Sequence, residues 1–147
     1  MTSTTNSDFL QEREIYYNAN SDTAQARVLM DSGQELVSYR LDTAIRIWYN
    51  DINIGFEPHW HSALEIVAPV DNWYDVKIGE TTYHSVPGDI MLIPPGELHT
   101  LKAPETGSRF IFLFDLSVFS RLHGFAGIQS ILSRPLPLTR NAYPQIY

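Results

Sequence analysis

The chain has 147 residues, of which 44% are hydrophobic and none is cysteine. This length fits one domain whose core is large enough to fold without covalent cross-links. The absence of cysteine excludes disulfides, thiolate zinc sites and cysteine nucleophiles, and it fits a reducing cytoplasm. A formal net charge of -7 disfavours direct binding to nucleic acid.

The N-terminal region carries no targeting signal. Residues 1–8 are polar and lack the basic start and apolar centre of a signal peptide, and no later apolar run is long enough to cross a bilayer. We therefore expect a cytoplasmic protein without a membrane partner. Apolar residues recur among charged ones from Asp8 to Tyr17 and from Asp22 to Met30. This pattern predicts one or two short helices in an N-terminal arm, 1–34.

From residue 35 to residue 116 the sequence consists of short β-branched and aromatic runs, separated by turn residues such as Pro87-Gly88 and Pro94-Pro95-Gly96. This texture is typical of an antiparallel sandwich or barrel, so we expect a mainly all-β fold. The predicted strands are Glu35 to Leu41, Ala44 to Tyr49, Pro58 to His61, Leu64 to Pro69, Trp73 to Ile78, Thr82 to Val86, Asp89 to Ile93, His99 to Lys102, and Arg109 to Leu116.

The residue pattern changes at and after the last predicted strand. Phe110 to Phe114 is apolar on both faces, so a helix or a partner subunit must cover the outer side of that strand. Residues 117–147 predict short, irregular helical turns, then an extended Pro135 to Leu138, then a helix start at Thr139 or Asn141 before Pro144. Because a helix beginning so close to Tyr147 cannot stabilise itself, we expect the chain to be part of a longer protein.

Three histidines and one glutamate have a spacing that suits a common site. Side chains alternate along a strand, so His59 and His61 point to the same face. Glu65 has the same parity, but four residues of straight strand span about 13 Å. The chain must therefore turn at Ser62-Ala63-Leu64 if Glu65 is to join the pair. His99 arrives after the Pro94-Pro95-Gly96 turn.

This set offers three nitrogens and one oxygen, which suit zinc, nickel, iron, manganese or copper. The alternative is that the four side chains hydrogen-bond one another around a polar pocket without a metal. His84 and His123 have no partner at ligand spacing, and we expect them to be structural or exposed.

Arg46 and Trp48 share a strand face and can clamp a sugar or a carboxylate, although an exposed arginine beside a core tryptophan explains the pair equally well. No glycine-rich phosphate loop and no serine nucleophile elbow occurs in the sequence.

The sequence resembles the cupin superfamily, a family of small double-stranded, jelly-roll-like β-barrels. The resemblance rests on His59-x-His61-x-x-x-Glu65 and on Gly88 followed by Pro94-x-Gly96-x-x-His99. Ala103 stands where the second motif usually has asparagine, and Asn72 lies near the place of the first motif's glycine. More narrowly, these segments and the Phe112-Leu113-Phe114-Asp115 exit look like the N-terminal sensing domain of AraC-type transcription regulators.

That resemblance implies a cupin barrel over 35–116, short flanking helices at both ends, and the start of a helical dimerisation and linker region at 117–147. It implies a homodimer that binds a small effector, often a sugar. DNA would be bound only by a C-terminal helix-turn-helix domain that this chain lacks. The residues expected to bind the effector are His59, His61, Glu65, His99, Arg46, Trp48 and Tyr74, and the first four are also the expected ligands of a divalent metal (Zn, Ni, Fe or Mn).

Two other functions are compatible with the sequence. One is a metal-dependent cupin enzyme of the dioxygenase or sugar isomerase type, in which the same four residues would activate oxygen or polarise a carbonyl. The other is a stand-alone sugar-binding or storage barrel. The sensing domain needs no catalysis, so we do not expect an enzyme.

Overall fold

The computed structural model describes residues 27–39, 43–51 and 55–146. These residues contain one α-helix, α1 (Phe125–Leu132), and two short 3-10 helices, Leu116–Phe119 and Pro144–Ile146. The strands are β1 (Arg27–Leu29), β2 (Glu35–Val37), β3 (Ile45–Asn50), β4 (Phe56–His59), β5 (Leu64–Asp71), β6 (Tyr74–Ile78), β7 (Thr81–Ser85), β8 (Ile90–Ile93), β9 (His99–Lys102), β10 (Ser108–Phe114) and β11 (Leu136–Leu138).

Two antiparallel sheets form the barrel. One has five strands in the order β11-β8-β5-β10-β3, and the other has four in the order β4-β9-β6-β7. Strands β1 and β2 form a separate pair. Alternation along each strand turns one set of side chains inward, where Val67 and Met91 of the first sheet pack with Val76 and Leu101 of the second. The predicted mainly all-β double-stranded barrel is confirmed.

A second core cluster lies beside the first. It is formed by Trp48, Ala63, Ile111 and Leu113, with Val37 packed against it. In this way β2 contributes to the interior even though it pairs with neither large sheet. Burial of these apolar side chains is the main force that holds the two sheets together.

Two turns have backbone conformations that restrict the residue type. Asn72, between β5 and β6, has a φ of 66°, and it is the one non-glycine residue with positive φ in the described ranges. Asparagine tolerates this left-handed conformation better than most residues do. Gly107, before β10, has a φ of 132°, and a Cβ there would lie 2.5 Å from the Asp71 carbonyl oxygen. Any side chain at Gly107 would displace this loop.

One predicted element is wrong. Part of the helix expected from Asp22 to Met30 is strand β1, in which Arg27 to Leu29 pair with Val37 to Glu35. The Met30–Gln34 turn returns the chain, and hydrogen bonding across it outweighs the local helical pattern. The expected helix from Asp8 to Tyr17 and residues 22–26 lie outside the described residues, as do residues 40 and 41 of the first predicted strand.

The region after β10 follows the sequence prediction. It contains short helical turns and then β11, which pairs with β8 and extends the five-stranded sheet. Thr139 caps the next turn, since its hydroxyl accepts a hydrogen bond from the Ala142 amide at 3.3 Å. In the described part of the chain, no helix is long and apolar enough to cross a membrane.

Candidate functional site

Four buried polar side chains meet inside the barrel. His59 ends β4, His61 lies in the bend after it, Glu65 is the second residue of β5, and His99 begins β9. They are between 0% and 2% exposed, and one ligating atom from each lies within 4.8 Å of those of the others. The structure thus brings together four of the seven residues predicted from the sequence.

Local chain reversals produce this convergence. The chain turns between β4 and β5 at Ser62 and Ala63, as the spacing of Glu65 requires. Gly96, with a φ of 81°, completes the turn before β9, and its amide donates to the His61 carbonyl at 2.8 Å. In the pairing of β4 with β9, His59 lies opposite His99, and their ring centroids are 4.3 Å apart. The turn and the register together aim His99 at the other histidines.

Backbone carbonyls fix the orientation of all three rings. The Nδ1 atom of His59 donates to the Glu57 carbonyl at 2.8 Å, and that of His99 donates to the Glu97 carbonyl at 2.8 Å. The Nδ1 atom of His61 donates to the Ala63 carbonyl at 3.1 Å. A carbonyl only accepts hydrogen bonds, so Nδ1 carries the hydrogen, and Nε2 of each neutral ring carries a lone pair. Such outer hydrogen bonds are what orients metal-ligating histidines.

Two of these Nε2 atoms contact the carboxylate of Glu65. Its Oε2 lies 2.9 Å from Nε2 of His61 and 3.2 Å from Nε2 of His99. Two neutral rings that already carry hydrogen on Nδ1 have no hydrogen for Oε2. The contacts are therefore favourable only when a proton or a cation supplies positive charge between these atoms.

Burial and neighbouring groups shift two pKa values here. Burial raises the pKa of Glu65, but the hydrogen bonds and positive charge that His61 and His99 supply when protonated lower it more, so the pKa lies well below its ordinary range. Burial lowers the pKa of His59, and the charge of His99 lowers it further. The interior thus contains an ionised carboxylate, while protonation of His59 is disfavoured.

The four residues fit a metal ion. Among the described residues, Nε2 of His59 and Oε1 of Glu65 are buried atoms without a hydrogen-bond partner, so their lone pairs are available to a metal ion. Three imidazole nitrogens and one carboxylate oxygen suit Zn, Ni, Fe or Mn. His59, His61, Glu65 and His99 would hold such an ion.

Residues 45–145 match the family model described as the AraC-like ligand binding domain. The chain belongs to this family. No curated protein matches the sequence closely enough to count as a relative.

Solved structures similar to this AraC-like ligand-binding domain include several cupins. An RmlC-like cupin from Shewanella frigidimarina is 16% identical, with a TM-score of 0.43, over 48% of this chain and 66% of the other. A Cupin 2 conserved barrel domain protein from Salinispora arenicola is 17% identical, with a TM-score of 0.44, over 63% and 80%. A variant of the Bacillus subtilis oxalate decarboxylase is 22% identical, with a TM-score of 0.41, over 51% and 22%.

Two other predicted site residues lie on the inner face of the domain's five-stranded sheet. Arg46 pairs with Leu113, which in turn pairs with Glu65, so Arg46 and Glu65 are two strands apart, or about 10 Å. Its Nε donates to the Ser38 carbonyl at 2.7 Å. Trp48 is buried in the second core cluster. Both residues thus share the barrel interior with the four-residue cluster.

The seventh predicted residue, Tyr74, lies away from the cluster. It begins β6, whereas Ile78 at the other end of β6 is the residue that pairs with His99. Four residues of strand put Tyr74 about 13 Å from that level. Its ring packs under the guanidinium of Arg109, with the Arg109 Cζ atom 4.3 Å from the ring centroid. Tyr74 is buried, but it lies at a different height in the barrel from the four-residue cluster.

Sequence reasoning missed one buried carboxylate. Glu35 on β2 is 6% exposed, and its Oε2 lies 3.5 Å from Nε2 of His59. Residue 35 begins the first predicted strand, but it stands 24 positions before His59 and has no ligand-spaced neighbour. No local sequence signal joins the two residues.

Proposed function

We propose that this chain is the effector-sensing domain of an AraC-type transcription regulator and that it binds a small molecule in the barrel interior. The observation that carries the proposal is the buried cluster itself, in a chain that belongs to the AraC-like ligand-binding family. Nε2 of His59 and Oε1 of Glu65 supply binding capacity that the described residues leave unused.

The chemistry of the cluster favours a ligand with several hydrogen-bond donors. Neutral Nε2 atoms and a carboxylate all accept hydrogen bonds, so they match hydroxyl groups rather than carbonyl or phosphate oxygens. A sugar has such hydroxyls. Arg46 and Trp48, on the inner face of the same sheet, would extend the binding surface, and Tyr74 would contact only a ligand that reaches the far end of β6.

A divalent metal fits this proposal as a second occupant. When bound by His59, His61, Glu65 and His99, it would supply a Lewis acid to which hydroxyl or carboxylate oxygens can bind. The residues of the chain would hold the rings in place through Glu57, Ala63 and Glu97 carbonyls.

Regulation would arise from coupling between effector and assembly. An effector that prefers one arrangement of the domain shifts how two copies, and the DNA-binding domains of the longer protein, are held. Apolar side chains that a partner copy could cover are exposed in the C-terminal part, namely Val118, Leu122, Ile128 and Ile131. The division into an arm at 1–34, a barrel at 35–116 and a dimerisation region at 117–147 is part of this proposal.

The second candidate function is a metal-dependent cupin enzyme, and the observation that favours it is the same three-nitrogen, one-oxygen donor set. Metal analysis of the purified chain followed by oxygen uptake, or by turnover of candidate sugars, separates it from sensing. Turnover with the metal present and none after its removal would support the enzyme.

The sensing proposal is tested by thermal unfolding of the chain with a panel of sugars and small carboxylates. We expect at least one compound to raise the melting temperature in proportion to its concentration, because a ligand that binds only the folded state stabilises it. The same shift should vanish in His99→Ala and persist in His84→Ala. A compound that raises the melting temperatures of the parent chain, His99→Ala and His84→Ala equally would bind elsewhere and contradict the proposed site.

A further inference from the structure

The short strand β2 places a second carboxylate at the edge of the buried cluster. Glu35 is 6% exposed and Glu65 is fully buried, and both approach the histidine rings from different sides. Oε2 of Glu35 lies 3.5 Å from Nε2 of His59, whereas Oε2 of Glu65 contacts His61 and His99. Each of the three imidazoles therefore faces a carboxylate oxygen.

Backbone hydrogen bonds hold the Glu35 segment against the site. The Glu35 amide donates to the Trp60 carbonyl at 2.7 Å, and the Trp60 amide donates to the Gly33 carbonyl at 3.0 Å. Trp60 is the residue between His59 and His61. Residues 33–35 are thus bonded to the backbone that links two of the site histidines.

The contact between Glu35 and His59 needs a positive species. His59 donates from Nδ1 to the Glu57 carbonyl, so Nε2 of the neutral ring is a lone pair. A carboxylate oxygen only accepts, and two acceptors 3.5 Å apart repel each other in a buried setting. Nε2 of His59, in a side chain that is 2% exposed, has no hydrogen-bond partner among the described residues and is directed into the cluster.

We propose that Glu35 is a fifth residue of a divalent-cation site formed with His59, His61, Glu65 and His99. This inference rests on a cation occupying the four-residue cluster. Two carboxylates then balance the two charges of the ion, which removes the cost of an unbalanced charge in the barrel interior. The Gly33 carbonyl and the Glu35 amide are both hydrogen-bonded to the backbone of Trp60. Cation binding by Glu35 and docking of β2 therefore stabilise each other, by reciprocal linkage.

The first test is a titration of the chelator-treated chain with Co2+, followed by its visible absorption, which reports on ligands at the ion. Loss of a residue that supports a metal site lowers affinity by about 10- to 100-fold, and we expect that loss for Glu35→Gln. Glu105→Gln is the matched control, because this side chain is exposed in the loop between β9 and β10. Its affinity should stay within about twofold of the parent chain.

The second test is hydrogen exchange of the Glu35 and Trp60 amides with and without Co2+. We expect the ion to slow both amides in the parent chain, and to slow them much less in Glu35→Gln, a difference that loss of packing alone does not produce. Glu35→Asp keeps the charge on a shorter side chain and serves if Glu35→Gln does not fold. Its affinity should lie between those of the parent and of a neutral variant.

The outcomes separate this inference from the proposed function. Equal Co2+ affinity of the parent and Glu35→Gln, with binding abolished in Glu65→Gln, would overturn the role of Glu35 and leave the four-residue site intact. Absence of Co2+ binding by the parent would overturn the inference as a whole, while a sugar-dependent rise in melting temperature would still support sensing.

Discussion

Histidines in two regions of this molecule differ in what their ring nitrogens face. In the barrel interior, His59, His61 and His99 donate from Nδ1 to backbone carbonyls and direct Nε2 at a carboxylate. On the outer face of the four-stranded sheet, the side chain of His84 is 58% exposed, and its Nδ1 contacts Asp75 at 2.5 Å. The two regions differ in the buried, oriented Nε2 lone pair and not in the acid, since both pair histidine with a carboxylate.

The largest expected effect comes from removing the interior carboxylate. Glu65→Gln eliminates the negative charge that the three histidines surround, and we expect cation affinity to fall by more than about 100-fold, beyond the loss typical of a supporting residue. Calorimetric titration with Zn2+ measures the cation affinity. Asp75→Asn, the corresponding change beside His84, should leave the affinity unchanged. Equal losses in the two variants would remove the distinction between interior and surface.

The next effect concerns the histidines themselves. His59→Ala or His99→Ala removes one inward Nε2, and we expect ligand or cation binding to weaken by at least about 10-fold, as for loss of a group that supports a site. The folded fraction at 25 °C should change far less. Binding of the sugar identified by thermal shift, with circular dichroism as the check on folding, measures both. Loss of the folded state with unchanged affinity in the surviving fraction would show the histidines to be structural.

A smaller effect is a loss of stability in acid that originates in the interior. Burial lowers the pKa of His59, so the unfolded chain binds its proton more tightly, and stability falls as pH drops below the ordinary value of 6.5. The lowered pKa of Glu65 adds a second loss as pH falls below 4.5. Urea unfolding of chelator-treated protein at pH 7.5, 6 and 4.5 should show declining free energies of unfolding. Equal or greater stability at pH 4.5 would contradict this.

The smallest effect is expected outside the barrel. His84→Ala breaks an exposed pair with Asp75, and exposed ion pairs contribute at most about 1 kcal/mol. We expect unchanged ligand and cation affinity and a change in the free energy of unfolding within that limit, measured by urea denaturation. A loss of binding in His84→Ala would extend the site to the outer face.

Much of the fold follows from short-range sequence pattern. Alternation and turn residues predict nine strands at nearly their observed positions, and His99 to Lys102 is reproduced without change as β9. Local pattern fails at Arg27–Leu29, where pairing with β2 determines the conformation. Strand pairing leaves no periodic signal in the local sequence. The apolar residues that recur from Asp22 to Met30 therefore predict a helix where β1 is found.

The site was predictable where spacing and parity define it. His59, His61 and Glu65 need only alternation and one turn, and the turn before β9 brings His99 to the same interior. Glu35 was not predictable, because a parallel bridge between Gln34 and Trp60 places it beside His59. Tyr74 shows the other limit, since parity indicates the interior but only the register of β6 against β9 gives its height.

The most direct test of the account is the state of the imidazole nitrogens in solution. Long-range 1H–15N correlation spectra of the chelator-treated chain at pH 7.5 should show His59, His61 and His99 with hydrogen on Nδ1. Their Nε2 resonances should shift when Zn2+ is added, while the Nε2 resonance of His84 stays in place. Interior rings without hydrogen on Nδ1, or Nε2 resonances that Zn2+ leaves unchanged, would contradict the claim that these atoms form the binding site.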